Sequence, residues 1–388
     1  MSFLSRLSAT LAAAAMGIAV CSGWASAQTA PQGEAVIIGV SGPLTGQYAQ
    51  YGAQWKRGFD VALDEINGSG GINGRPLQYV FEDSQSDPRQ SVAIARKFVS
   101  DPRIVAEIGD FSSAASMAAS PIYNAGKLVQ FGFTNSHPDF TKGGEYMWSN
   151  APNQSDEMPT LADMAVGALG LKKLAALYLN NDWGRTSKDL LVKAAEQRGA
   201  TVVGTEGYLA DEKDFRSAIV RLREQNPDGI IMISYYPDGA QITRQLRAAG
   251  LTQPIVAMGS VYSPKFVELG GEAVNGVYTN VPFFPGDLRP IVQKFDKAFE
   301  AKFGAEPDAY NGRAYDAMTV LGSVLRQYGT TREAVREGLS KIKGVPSVVY
   351  GEVQFNPQTR RVEQPIVNRI VIKDGKFVAW NGQRSPSQ

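Results

Sequence analysis

The fold is decided by the stretch Val36-Ile37-Ile38-Gly39-Val40-Ser41-Gly42-Pro43. Its first five residues form a short apolar run that predicts a buried strand, and the last three predict the turn that ends it. The segment 51–67 that follows places its apolar side chains on one face at helical spacing, which predicts an amphipathic helix. A buried strand followed by such a helix is the unit from which parallel sheets are built.

Strand and helix patterns then alternate in two series. In the first, strands are predicted at 77–82, 104–108 and 128–133, and helices at 88–100 and 114–125. In the second, which begins after Asn150-Ala151-Pro152, helices are predicted at 158–169, 187–198, 214–225 and 240–249, and strands at 174–179, 201–208, 229–234 and 255–257. This repetition predicts two parallel sheets, each covered by helices on both faces.

The last part of the chain adds too few elements for a third domain. Helices are predicted at 291–303, 309–328 and 332–341, and strand-like segments at 349–355 and 366–372. We expect them to complete the first two units, so that the chain crosses between lobes more than once. The predicted fold class is α/β, with two doubly wound parallel-sheet lobes. The predicted lobes are 34–151 plus 283–357 and 152–282 plus 358–388.

The first 27 residues predict a signal peptide. Arg6 supplies a positive charge, residues 7–20 form an apolar run, and Ala25-Ser26-Ala27 fits the small-x-small pattern of a cleavage site. A membrane anchor is the alternative, but the run falls short of the roughly 20 residues that span a bilayer. Lipid attachment at Cys21 is a second alternative, which Val20 before it disfavours. We therefore expect a periplasmic protein whose mature chain begins at Gln28.

Composition argues against several classes of protein. With 39 basic and 38 acidic residues, the chain offers no excess positive charge for nucleic acid. Cys21 is the only cysteine and His137 the only histidine, so disulfides and multi-histidine or thiolate metal sites are not expected. The chain contains no G-x-G-x-x-G after a strand and no Walker motif, and Asp64-Glu65 fits a helix surface. We expect no enzyme, no cofactor and no metal.

The loop Ser41-Gly42-Pro43-Leu44-Thr45-Gly46, with Tyr51-Gly52, resembles the opening loop of the leucine/isoleucine/valine-binding protein family, the type I periplasmic binding proteins of ABC importers. Further segments resemble the family in the same order along the chain: Gly70-Gly71-Ile72-Asn73-Gly74-Arg75-Pro76-Leu77, Asp83 with Asp87-Pro88, Asp211-Glu212-Lys213-Asp214-Phe215, and Arg244-Gln245-Leu246-Arg247-Ala248-Ala249-Gly250. The resemblance implies a monomeric receptor that closes two lobes around a small solute and delivers it to a membrane permease.

The resemblance also implies polar groups that hold the ligand's charged head. Ser113, in Gly109-Asp110-Phe111-Ser112-Ser113, matches the position that binds the ligand carboxylate, and it stands where a helix N-terminus favours an anion. Ser112 or Ser113 could instead merely cap that helix. Thr134 and Ser136 match a second polar loop, although an ordinary turn is the alternative there. The adjacent His137 is interpreted as a loop residue.

Four aromatic residues match family positions that line the cleft: Tyr51, Trp183, Tyr235 and Tyr310. Each lies in a loop or at the end of an element, where a bulky ring could seal a closing site. The alternative for each is packing inside a lobe.

One departure from the family bears on the ligand. Members that bind amino acids carry a carboxylate in the loop after residue 258, which pairs with the ligand's ammonium group, whereas this chain has Gly259-Ser260-Val261-Tyr262-Ser263. Either Asp110 or another acid takes over, or the ligand lacks an amino group, because a buried ammonium without a partner costs several kcal/mol. The expected ligand is a carboxylate-bearing solute such as a branched-chain or related amino acid. The alternatives are an aromatic acid or amide, or a sensor with the same fold.

Overall fold

Two sheets organise the chain in a computed structural model that describes residues 32–363 and 367–382. The predicted signal peptide, with its cleavage site and Cys21, lies outside the described residues. Within them, the helices are all too short or too polar to span a bilayer. The strands are β1 (Val36–Gly42), β2 (Leu77–Asp83), β3 (Ile104–Ile108), β4 (Val129–Gly132), β5 (Met147–Ser149), β6 (Lys173–Leu179), β7 (Thr201–Tyr208), β8 (Gly229–Ile233), β9 (Ile255–Ala257), β10 (Val277–Val281), β11 (Val345–Ser347), β12 (Gly351–Val353), β13 (Asn368–Lys373) and β14 (Lys376–Ala379).

Eleven α-helices connect or follow these strands in the described part of the chain. They are α1 (Ala49–Gly68), α2 (Pro88–Ser100), α3 (Ser113–Ala125), α4 (Gln154–Ala162), α5 (Asp182–Glu196), α6 (Arg216–Glu224), α7 (Tyr236–Ala248), α8 (Pro264–Gly270), α9 (Pro290–Phe303), α10 (Ala309–Tyr328) and α11 (Arg332–Lys341).

The first sheet is parallel throughout and has the order β2-β1-β3-β4-β5. The strand order reverses at β1 and β3, and ligands of such sheets bind beyond the carboxyl ends of the strands at that point. Helices α1, α2 and α3 pack on this sheet, α10 packs along α1, and α11 contacts β3 and β4. We call this unit the first lobe.

The second sheet has the order β7-β6-β8-β9-β10-β13-β14. Its first five strands are parallel, while β13 is antiparallel to β10, and β14 to β13. Helices α5 and α6 pack on this sheet, α4 packs against α5, and α7 against α8. We call this unit the second lobe. The prediction of an α/β fold with two doubly wound sheets is confirmed. The strand-like segment predicted at 366–372 corresponds to β13, whereas its antiparallel pairing and the strand β14 were not predicted.

The chain passes between the sheets three times. It enters the second sheet after β5, returns to the first lobe after β10, and enters the second sheet again at β13. The exact lobe boundaries remain a prediction. Ser149 N donates to Arg360 O and Val362 N donates to Ser149 O, which holds that segment beside the first sheet. We therefore propose the third crossing after Val362 rather than after residue 357.

Two helices that shape the site begin earlier than the sequence patterns predict. The side chain of Asn181 accepts a hydrogen bond of 2.8 Å from Gly184 N and starts α5 at Asp182, five residues before the predicted start. The side chain of Asn153 accepts from Ser155 N at 3.0 Å and starts α4 at Gln154 rather than at residue 158. Side-chain capping of this kind satisfies backbone N–H groups that the helix leaves free. Because of these earlier starts, Glu157 lies on α4 and Trp183 lies on α5.

Close packing of α1 on α10 depends on Gly58. A Cβ atom at this position would lie 2.3 Å from Asn311 O and 2.8 Å from the Ala314 Cβ. We expect Gly58→Ala to destabilise the protein by about 1–3 kcal/mol through overpacking, measured as the free energy of unfolding in urea. Gly68→Ala in the same helix is the matched control, because no atom lies within 4 Å of its added Cβ. Equal unfolding midpoints for the two variants would contradict this reading of the interface.

Candidate functional site

A cavity lies between the lobes, beyond the carboxyl ends of strands from both sheets. Its volume, including the part open to solvent, is ≈ 520 Å³, a size that suits a small solute. The cavity is lined by Phe111, Ser113, Thr134, Ser136, Glu157, Trp183, Tyr235, Met258, Gly259, Ser260, Val281, Pro282, Ala309, Tyr310 and Arg313.

Four helices begin at this cavity. Ser113 is the first residue of α3, Trp183 and Tyr310 are the second residues of α5 and α10, and Tyr235 is the residue before α7. The first turn of a helix leaves N–H groups unpaired and carries a partial positive charge. Their convergence favours a negatively charged group in the cavity.

The first lobe contributes a wall of hydroxyl groups. Ser112 caps α3, since its Oγ accepts from Ala115 N at 3.5 Å. The Oγ of Ser113 and the Oγ1 of Thr134 are buried and have no hydrogen-bond partner among the described residues. Because a buried hydroxyl without a partner is costly, these two groups are suited to a polar ligand. The Oγ of Ser136 accepts from the Trp183 indole N–H at 3.2 Å.

Aromatic rings form a second part of the enclosure. The Trp183 and Tyr235 rings stack with centroids 4.9 Å apart, and Phe111 meets the edge of Tyr235 at 4.9 Å. The Tyr310 ring also lines the cavity. Tyr51, predicted to line the cleft, lies behind this layer, where it stacks on Phe111 at 3.8 Å.

Direct hydrogen bonds join the lobes beside the cavity. The Tyr51 hydroxyl donates to Ser260 O at 2.5 Å and accepts from Tyr236 N at 3.2 Å. His137 lies in a loop, as interpreted, and its Nε2 lies 3.1 Å from Thr186 Oγ1 on the opposite lobe. These contacts between the two lobes can therefore form only in the closed conformation.

The structure does not bring Asp110 to the cavity, which corrects its assignment as a possible ligand partner. Its carboxylate is fully buried in the first lobe and accepts hydrogen bonds from Ser86 Oγ at 3.0 Å and Ser91 Oγ at 2.8 Å. Burial raises its pKa, although these hydroxyls act in the opposite direction. Both carboxylate oxygens are therefore committed to the interior of that lobe.

The loop after β9 brings no carboxylate either. Val261 is fully buried and faces α7, where its Cγ1 would lie 3.2 Å from a Cβ at Gly239. Gly259 and Ser260 are the members of this loop that reach the cavity.

Two charged residues that line the cavity were not predicted from the sequence. Glu157 comes from α4 in the second lobe and Arg313 from α10 in the first. Burial raises the pKa of Glu157 to about 7, while Arg313 and the Ser136 hydroxyl oppose this rise. The Arg313 Nε donates to Phe133 O at 3.0 Å, and its guanidinium lies 5.5 Å from the centroid of the Tyr310 ring. The capping signal of Asn153 could have placed Glu157 on a helix.

Comparison of the sequence with known proteins shows which protein family it is similar to. Residues 35–376 match the family model described as periplasmic binding protein. The Leu/Ile/Val-binding protein of Escherichia coli (strain K12) is 30% identical over 295 residues, which cover 76% of this chain and 80% of that protein.

Solved structures share the fold with different ligands. The branched-chain amino acid transporter substrate binding protein LivJ from Streptococcus pneumoniae, in complex with isoleucine, matches with a TM-score of 0.82 and 21% identity, over 89% of this chain and 99% of that one. A solute binding protein from R. palustris, in complex with 4-hydroxybenzoate, matches with a TM-score of 0.81 and 20% identity, over 89% and 96%. Since one fold accompanies both ligands, the side chains of the cavity decide what is bound.

Proposed function

The chain belongs to the periplasmic binding protein family, and from that premise we propose that it is the extracytoplasmic receptor of an ABC importer. It binds a small carboxylate-bearing solute, a branched-chain or related amino acid, by closing its lobes, and presents the closed form to a membrane permease. The observation that carries this proposal is the cavity where four helix N-termini, two unpaired hydroxyls and a ring of aromatic side chains converge.

The cavity offers both polar and apolar surface, which suits the two parts of such a solute. Ser113 and Thr134 offer hydroxyl donors for a carboxylate beside the positive end of α3. Met258, Val281 and Pro282 supply apolar surface together with the rings, which suits a hydrocarbon side chain of modest size.

Receptor behaviour follows from the contacts across the cleft. A ligand that touches both lobes favours the closed form, because its contacts on one lobe are completed by the other. The family's members named above are binding proteins, so we propose a receptor rather than an enzyme. Export through residues 1–27 and action as a monomer in the periplasm are part of the same proposal.

An aromatic acid is the second candidate, favoured by the stacked rings of the cavity and by the absence of an acid at Val261. The two candidates are separated by a screen of branched-chain amino acids, aromatic acids and amides.

We expect the true solute to raise the melting temperature by several degrees, since ligand at about 100 times its Kd adds about 2.7 kcal/mol to the free energy of unfolding. Closure should also change the tryptophan fluorescence, because Trp183 lines the cavity. Trp183→Phe is the control that should remove most of the fluorescence change. The proposal fails if no carboxylate solute alters either signal.

A further inference from the structure

We infer that Glu157 receives the ammonium group of the solute, so that the site selects amino acids over the same acids without an amino group. This inference rests on the proposed function and adds to it the chemistry that sets specificity.

The position of Glu157 makes it the carboxylate available to a ligand. Among the described residues that line the cavity, it is the one with an acidic side chain. Its Oε2 is buried and has no hydrogen-bond partner among the described residues. A buried carboxylate oxygen without a partner is costly, and an ammonium group supplies three donors and the opposite charge.

The other acids of the described residues near the cleft do not line the cavity, including Asp238, whose buried carboxylate oxygens also have no hydrogen-bond partner among the described residues. Both oxygens of Asp110 accept hydrogen bonds inside the first lobe, and the loop after β9 presents Gly259 and Ser260 to the cavity. The second lobe thus delivers its negative charge from α4 rather than from that loop.

Charges around Glu157 leave room for a ligand's ammonium. Arg313 from the first lobe and the Ser136 hydroxyl lower the pKa of Glu157, whereas Asp156 raises it and Arg361 lowers it to a smaller extent. Arg313 is partly committed, since its Nε donates to Phe133 O and its guanidinium lies over the Tyr310 ring. No hydrogen bond or ion pair joins Arg313 to Glu157 among the contacts of the described residues, so Glu157 Oε2 remains free for a closer donor.

The arrangement of opposite charges matches a zwitterion. The carboxylate end of the solute would meet Ser113 and Thr134 at the positive end of α3, and the amino end would meet Glu157. Since Ser113 and Thr134 belong to the first lobe and Glu157 to the second, an amino acid would connect the two lobes by its own charges.

The test measures the binding of two pairs of ligands to the native chain and two variants by titration calorimetry. The ligands are leucine and 4-methylpentanoate, which has the same skeleton without the amino group, with phenylalanine and 3-phenylpropanoate as a second pair. The proteins are the native chain and Glu157→Gln. Asp156→Asn is the matched control, because Asp156 is the exposed acid next to Glu157 in α4.

We expect the native protein to bind the amino acid of at least one pair about 10- to 100-fold more tightly than its deaminated analogue, as a charged hydrogen bond at a buried site implies. Glu157→Gln should reduce this preference to within about threefold by weakening the amino acid alone. Asp156→Asn should keep the native preference.

Acidification gives an independent readout. An ammonium group pairs with the ionised carboxylate, whose pKa in the structure is about 7. The affinity for the amino acid should therefore fall as the pH is lowered from 8 to 6, and Glu157→Gln should flatten this dependence.

Four results would overturn the inference. The first three are equal weakening of both ligands by Glu157→Gln, equal affinity of the native protein for both members of each pair, and tighter binding of the amino acid at pH 6. Binding of the deaminated acid alone would remove this inference and leave the receptor function standing. Failure of every carboxylate in the thermal screen would remove the proposed function itself.

Discussion

Trp183→Ala is expected to weaken solute binding by at least about 100-fold, a loss near 3 kcal/mol that is typical of a buried aromatic anchor. The ring is 4% exposed in the closed cleft. It stacks on Tyr235, and its indole N–H donates to Ser136 Oγ on the opposite lobe. Truncation removes both the wall of the cavity and a hydrogen bond that exists when the lobes meet.

The ligand-free protein should lose little stability, because opening of the cleft exposes this ring in any case. The measurement pairs titration calorimetry with the melting temperature of the ligand-free variant. Trp148 provides the contrast: it packs against Phe355 inside the first lobe, so Trp148→Phe should lower the melting temperature and spare binding. If Trp183→Ala reduced stability as severely as binding, the ring would belong to the core of its lobe.

Tyr51→Phe is expected to weaken binding by about 10- to 100-fold without touching the solute. The variant keeps the ring that stacks on Phe111 but loses the hydroxyl that donates to Ser260 O and accepts from Tyr236 N. Leaving two buried backbone groups unpaired costs about 1–3 kcal/mol for each, part of which water recovers. This cost falls on the closed form alone, and the closed form is the one that holds the solute.

Small-angle X-ray scattering with saturating solute should show a larger fraction of open molecules for Tyr51→Phe than for the native chain. Tyr123→Phe is the matched control, since the Tyr123 hydroxyl is buried inside the first lobe and makes no hydrogen bond across the cleft among the described residues, so its removal should leave closure intact. Unchanged affinity of Tyr51→Phe would mean that these hydrogen bonds do not stabilise the closed form.

The fold could be predicted because its signals are local. Apolar runs such as Val36–Gly42 alternate with amphipathic helices, and that alternation specifies a parallel sheet with helices on both faces. The first residues of helices were harder to predict from the sequence. Helices α4 and α5 begin where Asn153 and Asn181 cap them, before the apolar spacing that marks the rest of each helix. The antiparallel strands at the edge of the second sheet are short and carry mixed polarity, which hides their pairing.

The site could be predicted only in part, because its charges meet through tertiary structure. Residues just after strands, such as Ser113 and Thr134, are located by the rule that ligands bind at strand ends. Asp110 obeys the same rule, yet its side chain turns into the lobe, where Ser86 and Ser91 bind it. Glu157 and Arg313 lie on helices that reach the cavity from opposite lobes, and no sequence spacing relates them.

The three passages of the chain between the sheets have a mechanical consequence. Two domains joined by a single segment can rotate freely about it, whereas three connecting segments resist twisting and sliding and leave hinge bending as the easiest motion. The hydroxyl groups and the aromatic rings of the cavity would then return to the same relative positions each time the lobes close. The closed site would be preorganised for the solute, and less of the binding free energy would be spent on fixing the orientation of the two lobes.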